Sequence, residues 1–447
     1  MWKNVIRSAV LNSIYALLLV IVSPFLLWAA WRTGKYRHGW SQKFLGFVPI
    51  RQSNRPCIWL HGVSVGEINL LAHLVEALQE RYPEHEFVVS TTTVTGFELA
   101  QKKFPQLSTF YCPLDFSWAV KNAIRRLRPS VLVLGELEIW PQLISQCKQH
   151  QIAVAVVNGR LSEASFRGYC RLKWPLCSIF AKLDVVAAQS TEYARRFVHM
   201  GVPSQRVHVT GSMKFDGAVT DRTNPRTCQM NNLLQRSDHD IVFLAGSTQD
   251  PEEELAVRTF LELQPLYPAL RLIVVPRHQE RFDEAERSMQ AAGALVVRRS
   301  QLKDSDALDR NAVLLVDTIG ELNAWWGTAD IAFVGGSLGK RGGQNMLEPA
   351  AYGAAVSFGT NTRNFRDIVH LLLQADAAQV VANDDELTSF VERCLQDESY
   401  RQKLGKRAQA LVLENRGALG RTCDVLGPWI QCVDAAVDET VVWRKSA

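Results

Sequence analysis

The stretch Trp59-Leu60-His61-Gly62-Val63-Ser64-Val65-Gly66-Glu67, running directly into Ile68–Arg81, decides the fold. A compact apolar run, a glycine-bearing turn and then apolar residues at helical spacing read as strand, tight turn and amphipathic helix. The same unit recurs outward from it. Apolar runs of strand length stand at 57–61, 87–90, 131–134, 152–157, 184–188 and 207–210, separated by longer amphipathic stretches. That alternation is the pattern of βα units on a parallel sheet. A second series follows at 241–245, 272–275, 313–316, 331–334 and 355–358, after a polar stretch bearing Asp221, Arg222, Asn224, Pro225, Asn231 and Asn232. The expected fold class is therefore α/β: two doubly wound Rossmann-like domains facing a central cleft, preceded by an N-terminal membrane-anchor helix. The expected limits are 1–50 for the anchor and its basic flank, 51–220 for the first domain and 221–240 for a linker. The second domain takes 241–420, and 421–447 form a C-terminal helix and tail. Ligands in such sheets bind at the carboxyl ends of the strands, so functional residues are sought there.

Composition agrees with this division. A chain of 447 residues fits two domains, and 47% hydrophobic with 21% charged residues excludes disordered and fibrous classes. The net charge of +5 favours anionic partners without choosing among nucleotide-sugars, phospholipid and nucleic acid. Nine cysteines without a CxxC pair suggest neither a disulfide framework nor a zinc site. At the N-terminus, Ala9–Trp31 is an uncharged, mostly apolar run long enough to cross a hydrocarbon core of about 30 Å. Lys3 and Arg7 precede it, and Arg32, Lys35, Arg37 and Lys43 follow it, which places the remainder of the chain in the cytoplasm. The run exceeds a signal-peptide core, and no small-residue cleavage site stands at Pro24–Trp28. Pro24 leaves an interfacial helix as the alternative to a spanning one.

Several post-strand segments carry chemistry. Glu67 sits at a helix start, where the dipole stabilises its anionic form and keeps it available as a base; many first-turn carboxylates do no more than complement that dipole. The same turn spells G-x-S-x-G, which makes Ser64 a rival nucleophile and a serine acyltransferase or hydrolase the alternative function. Against this, only the anchor and a basic segment precede the turn, whereas hydrolase elbows follow several strands. Glu136 and Glu138 come after the 131–134 run, and alternation on an extended chain would put them on one face. Lys214 is their candidate cationic partner, and Asn158-Gly159-Arg160 follows a strand in the same way. In the second series, Ala245-Gly246-Ser247-Thr248 precedes Glu252, Glu253 and Glu254, so its amides and hydroxyls suit a phosphate. Arg277 after 272–275 offers a forked cation. The densest signal is 333–349, with five glycines, Lys340 and Arg341 ahead of Asn345 and a helix start. It suits a phosphate-bearing nucleotide, with Glu348 and Glu321 as acceptors for ribose hydroxyls. Neither GxxxxGK[ST] nor GxGxxG is present, which argues against kinases and dinucleotide oxidoreductases. The D-x-D strings Asp304-Ser305-Asp306 and Asp238-His239-Asp240 precede strands and read as solvated loops, so no metal is expected.

Taken in order, HGVSVGE (61–67), GELEIWP (135–141), NGRLSEASF (158–166), GSMKFD (211–216), AGSTQDPEEE (245–254), VPRHQERF (275–282), DTIGEL (317–322) and VGGSLGKRGGQNMLEPAAYG (334–353) resemble the 3-deoxy-D-manno-octulosonic acid (Kdo) transferases. The resemblance implies a GT-B glycosyltransferase with the acceptor domain first and the CMP-Kdo domain second. It implies inverting transfer of Kdo from CMP-Kdo to the lipid A precursor lipid IVA, in lipopolysaccharide core biosynthesis, on the cytoplasmic side of a bacterial inner membrane. By the same likeness Glu67 is the general base, Glu138 and Lys214 stabilise the transition state, and Glu136 is the reserve carboxylate. Pro276, Arg277, Ile319, Gly320, Glu321, Asn345, Met346, Leu347 and Glu348 match CMP-binding stretches. Neither a metal nor a nucleic-acid partner is implied. Gln344, Met346 and Ser212 depart from the residues commonest in the family at those positions.

Overall fold

In a computed structural model of the chain, residues 2–33, 38–302 and 308–445 are described, with side chains except at 2–7, 26, 27, 29, 30, 33 and 432–445. Lys35, Arg37 and the string Asp304-Ser305-Asp306 lie outside the described residues, as do the side chains of Lys3 and Arg7. The chain divides into two units, Met1–Gly217 with Arg416–Ala447, and Ala218–Asn415.

The first unit is built on a seven-stranded parallel sheet. Its strands are β1 (Cys57–His61), β2 (Glu86–Thr91), β3 (Ser108–Tyr111), β4 (Val131–Gly135), β5 (Ala153–Gly159), β6 (Val185–Ala188) and β7 (Val207–Val209), in the order β3-β2-β1-β4-β5-β6-β7. Both faces are covered, and side chains alternate between them as strand geometry requires. Ile58, Leu60, Val131, Val133, Ala155 and Val157 enter one layer with Leu71, Leu74 and Leu78 of helix Val65–Arg81. Trp59, Leu132, Leu134, Val154 and Val156 enter the other with Phe110, Phe180 and Phe197. Each of the Val, Leu, Ile and Phe side chains among them contributes about 1.5–3 kcal/mol on burial. The strand order reverses between β1 and β4, which makes their carboxyl ends the switch point of the sheet.

The second unit repeats the architecture with β8 (Ile241–Thr248), β9 (Leu270–Pro276), β10 (Leu295–Arg298), β11 (Ala312–Leu315), β12 (Ile331–Val334), β13 (Ala355–Phe358) and β14 (Ala378–Val380). Their order is β10-β11-β9-β8-β12-β13-β14, all parallel, with the switch point between β8 and β12. Phe243, Leu272, Val274, Phe333 and Phe260 fill one layer. Gly246 admits the ring of Trp326, which a Cβ there would meet at 2.4 Å.

Three strands were not expected from sequence: β3, β10 and β14. All are sheet edges, short and partly exposed, so they lack the continuous apolar run that marks a central strand. The stretch expected as a linker, 221–240, is instead structured. Helix Pro225–Leu234, capped by Asn224 Oδ1 on the Thr227 amide at 3.0 Å, buries Thr227, Met230, Leu233 and Leu234. Arg222 donates to the carbonyls of Tyr352, Gly327 and Ala329, and Arg236 forks onto Asp330 at 2.8 and 3.0 Å, so polar residues staple this segment to the second unit. Asp240, expected in a solvated loop, is buried and paired with Arg310 at 2.9 Å and Arg271 at 3.5 Å. At the C-terminus, helix Ala418–Lys445 returns to the first unit, where Ala418, Cys423, Leu426 and Ile430 join the layer of Ile58 and Leu60.

Helix Glu398–Glu414 crosses the turn after helix Leu347–Ala351 at Gly405, where a Cβ would lie 2.1 Å from the Gly353 carbonyl oxygen. Helix propensity alone would make Gly405→Ala stabilising by about 1 kcal/mol. Backbone cannot move aside as a flexible side chain does, so overpacking wins and the substitution costs about 1–3 kcal/mol. Calorimetry is expected to show a Tm lowered by several degrees; an unchanged or raised Tm would contradict the close approach.

Candidate active site

Glu67 lies where β1 hands over to helix Val65–Arg81. Ser64, with an extended backbone at φ −109°, caps that helix by accepting the Glu67 amide at 3.3 Å. The Glu67 carboxylate folds back, accepting from the Val63 amide at 2.9 Å and from the Ser64 hydroxyl at 2.9 Å. This is a variant of the capping box in which Glu67 reaches past the Ser64 cap to the Val63 amide, and it holds both oxygens beside the end of β4. Gly135 leaves the room: a Cβ there would sit 3.4 Å from Glu67 Oε2. The expected dominance of the helix dipole fails. Burial pushes the Glu67 carboxyl up, outweighing the hydrogen bonds that favour its charged form, and Glu136 adds repulsion. A raised carboxyl is a stronger base at neutral pH than an ordinary one.

Ser64 does not have the geometry of a nucleophile elbow. Its backbone is unstrained, and its hydroxyl is engaged with Glu67. The acyl-transfer alternative loses its structural basis here.

β4 ends at Gly135, and Glu136 turns into the left-handed region at φ 50°. The extended continuation expected for Glu136 and Glu138 is thus absent, and the turn sends the two carboxylates to different partners. Glu136 pairs with Lys214, Oε1 to Nζ at 3.0 Å, and is reached by Asn158 Nδ2 at 3.5 Å. Glu138 accepts from Trp140 Nε1 at 2.9 Å. Asn158 is fully buried, itself at φ 52°, and its Oδ1 accepts the Met213 amide at 3.1 Å, fixing the turn that carries Lys214. The end of β5 thereby positions a cation that the sequence placed only after β7. Glu138 is pushed up to about 7, first by burial and then by repulsion from Glu67. Three acidic groups thus surround the switch point of this sheet, and the Lys214 ammonium is bonded to one of them.

The Glu138 shift has a sign that stability measurements can read. A folded-state value near 7, above the ordinary 4.5, means the folded state holds a proton the unfolded state releases. Its cost is absent below about pH 4.5 and complete above about pH 7. Glu138→Gln is expected to leave Tm unchanged near pH 4 and to raise it at pH 8, where it adds about 1–2 kcal/mol of stability after screening by solvent. Equal Tm differences at both pH values would refute the shift.

In the second unit the amides at the start of the glycine-rich stretch 333–349, expected to suit a phosphate-bearing nucleotide, are already engaged. Glu252 accepts from the amides of Gly336 at 2.6 Å, Ser337 at 2.9 Å, Leu338 at 3.0 Å and Gln249 at 3.0 Å. Gly335 permits this approach, since a Cβ there would meet Glu252 Oε2 at 2.7 Å. An internal carboxylate therefore occupies the β8/β12 switch point. Arg277, exposed, follows β9 and lies in the electrostatic reach of Glu348, whose carboxyl burial pushes up. Asn345 Nδ2 donates to Glu348 Oε1 at 3.0 Å. Glu321 is held by Arg299 at 3.2 Å, the Thr318 hydroxyl at 2.7 Å and Trp325 Nε1 at 3.2 Å. Next to it Ile319 is 74% exposed and Gly320 stands open at φ 88°. By contrast Met346, Leu347 and Pro276 turn their side chains into the core, and the Leu347 amide is taken by Asn345 Oδ1 at 3.2 Å. Glu252 and Asn158 were missed as organising residues. Glu252 reads in sequence as one of three helix-start acids, and nothing local reveals that three of its four partners lie about 85 residues onward.

The likeness to solved structures matches this architecture. The chain superposes on a UDP-GlcNAc 2-epimerase from Neisseria meningitidis with a TM-score of 0.56 at 14% identity, covering 83% of this chain and 99% of that one. It superposes on a glycosyltransferase from Rickettsia africae with a TM-score of 0.55 at 12% identity, covering 85% and 99%. The fold is GT-B, and the protein is a glycosyltransferase. A family described as 3-deoxy-D-manno-octulosonic-acid transferase (kdotransferase) matches residues 38–217. The 3-deoxy-D-manno-octulosonic acid transferase of Haemophilus influenzae is 31% identical over 424 residues, covering 93% of this chain and 98% of the relative. The corresponding protein of Bordetella pertussis is 30% identical over 438 residues, covering 94% and 99%. The chain belongs to the 3-deoxy-D-manno-octulosonic acid transferase family.

Proposed function

We propose that this protein moves Kdo from CMP-Kdo to a lipid A precursor, lipid IVA, with inversion and without a metal, in lipopolysaccharide assembly at the cytoplasmic face of a bacterial inner membrane. The observation that carries the reading is the carboxylate of Glu67, buried enough to be raised, held by Val63 and Ser64, with Lys214 placed beside the same switch point by Asn158 and Glu136. Glu67 takes the proton from an acceptor sugar hydroxyl. The oxygen so freed attacks the anomeric carbon of Kdo as the bond to the CMP phosphate breaks, and CMP leaves with the electron pair. Lys214 and Glu138 serve the transition state, Lys214 by offsetting negative charge on the donor carboxylate or departing phosphate. Arg277 is the phosphate cation of the second unit, and Glu348 with Asn345 accepts from ribose. Helix Trp2–Thr33, whose segment Ser8–Phe25 is long and apolar enough to cross a membrane, supplies the attachment.

Donor choice is tested by CMP release from CMP-Kdo in the presence of acceptor and EDTA, with UDP-GlcNAc as the competing donor. Release confined to CMP-Kdo is expected; turnover of UDP-GlcNAc instead would overturn the donor assignment. In the same assay Lys214→Met is expected to lower kcat by about 10²-fold or more with KM for acceptor little changed. A loss confined to KM would make Lys214 a ground-state contact only.

A further inference from the structure

The helix Trp2–Thr33 is tied to the unit it precedes. Ser8, Asn12 and Tyr15 share one face at helical spacing. Ser8 Oγ donates to Gln142 Oε1 at 2.8 Å, Asn12 Nδ2 to Ser117 Oγ at 2.8 Å, and the Tyr15 hydroxyl to Asp115 Oδ2 at 3.0 Å. Bonds also return to the helix: Gln142 Nε2 donates to the Ser8 carbonyl at 3.0 Å and the Ser117 amide to Asn12 Oδ1 at 3.1 Å. Asp115 in turn accepts the Gln142 and Leu143 amides at 2.9 and 2.8 Å, the free donors that open helix Pro141–Gln149.

After the helix the chain comes back to the same segment. Gln42 Oε1 accepts the Tyr111 amide at 2.7 Å, the Lys43 carbonyl accepts the Leu114 amide at 2.8 Å, and the Phe44 carbonyl accepts Trp118 Nε1 at 2.9 Å. Residues 12–15 and 42–44 are therefore both anchored on 111–118. From Tyr15 to Thr33 the helix rises ~27 Å. From Thr33 back to Gly39, which already touches the Tyr111 ring, six residue steps reach at most ~21 Å. A hydrocarbon core of ~30 Å cannot be crossed by the helix and recrossed in that length. The part before Tyr15, ~20 Å long, is also too short to cross it.

We propose that this helix lies in the plane of the bilayer surface, with both ends on the side of the catalytic units, and that the aromatic surface beside it rests in the same interface. Leu17, Val20, Ile21 and Phe25 are each more than 60% exposed along the helix, which supplies the apolar side. On the body, Trp40, Phe47 and Trp118 are about half exposed, with Trp40 stacked on Phe44 and Trp118 on Phe116. Exposed Lys121 and Arg125 share the Trp118 face of helix Ser117–Leu127. Indole rings beside cations suit the headgroup layer, where one end of the ring is wet and the other apolar, and the cations favour anionic lipid. The arrangement fixes the first unit against the membrane on which a lipid-borne acceptor is presented, and it rests on the membrane attachment proposed above.

An epitope added at the N-terminus of the full chain tests this in cells. Protease is applied to intact spheroplasts and to inverted membrane vesicles, and the epitope and the body are followed separately. The in-plane helix requires the two to be cut or protected together in both preparations. An epitope cut in spheroplasts whose body is protected would show a spanning helix and overturn the proposal while leaving membrane attachment intact. A chain found wholly in the soluble fraction would overturn both.

Discussion

Glu67→Gln is expected to lower kcat by about 10²–10⁴-fold while leaving the protein folded. Glutamine keeps the shape of the carboxylate and can still accept one of the two bonds from Val63 and Ser64, but it cannot take a proton from an acceptor hydroxyl. Stability moves the other way. Because burial raises the Glu67 carboxyl, the ionised group is a net cost in the folded state that grows as pH rises through its folded value, and glutamine removes that cost. The variant should melt no lower than the parent at pH 8. The parent's turnover should climb along the acid limb of its pH profile as Glu67 ionises. Turnover close to the parent's in a well-folded variant would show that the proton goes elsewhere.

Glu252→Ala is expected to be the most destabilising single change near the second site, costing about 3–5 kcal/mol. Four amide donors, those of Gln249, Gly336, Ser337 and Leu338, lose their acceptor at once, and the surroundings are closed. Each unsatisfied buried donor costs about 1–3 kcal/mol, and partial relaxation keeps the sum below four times that. The glycine loop 335–343 also loses the group that sets its path, and the affinity for the CMP donor proposed above is expected to fall with it. Hydrogen exchange at the loop amides together with Tm reads both effects. Unchanged protection at 336–338 would mean that the Glu252 contacts hold nothing in place.

These two residues also mark where the sequence was readable. The bonds that hold Glu67 all fall within residues 63–67, so strand, turn and helix start were legible as one local pattern. Central strands such as β1, β4 and β8 announced themselves because both of their faces are covered. The edges β3, β10 and β14 did not, since partial exposure relaxes their composition. Glu136 was placed on a straight chain because nothing in Gly-Glu-Leu-Glu signals a left-handed non-glycine residue; Asn158 and Lys214, from two other strand ends, meet it there. Polar composition at 221–240 suggested a linker, and within it Asn224 turned out to cap a helix and Arg222 to staple the segment to backbone carbonyls. Contacts between residues far apart in sequence leave no local signature, which is why Glu252 was read as a phosphate-site neighbour and not as the occupant of its amides.

The central claim is tested most directly by the mass of a tetraacylated lipid A precursor after incubation with CMP-Kdo, EDTA and the detergent-solubilised full chain. A gain of one or more Kdo units is expected with the parent, and with Glu67→Gln a gain slowed by about 10²-fold or more. No gain with the well-folded parent would contradict the donor and acceptor assignment, and an equal gain with the variant would contradict Glu67 as the base.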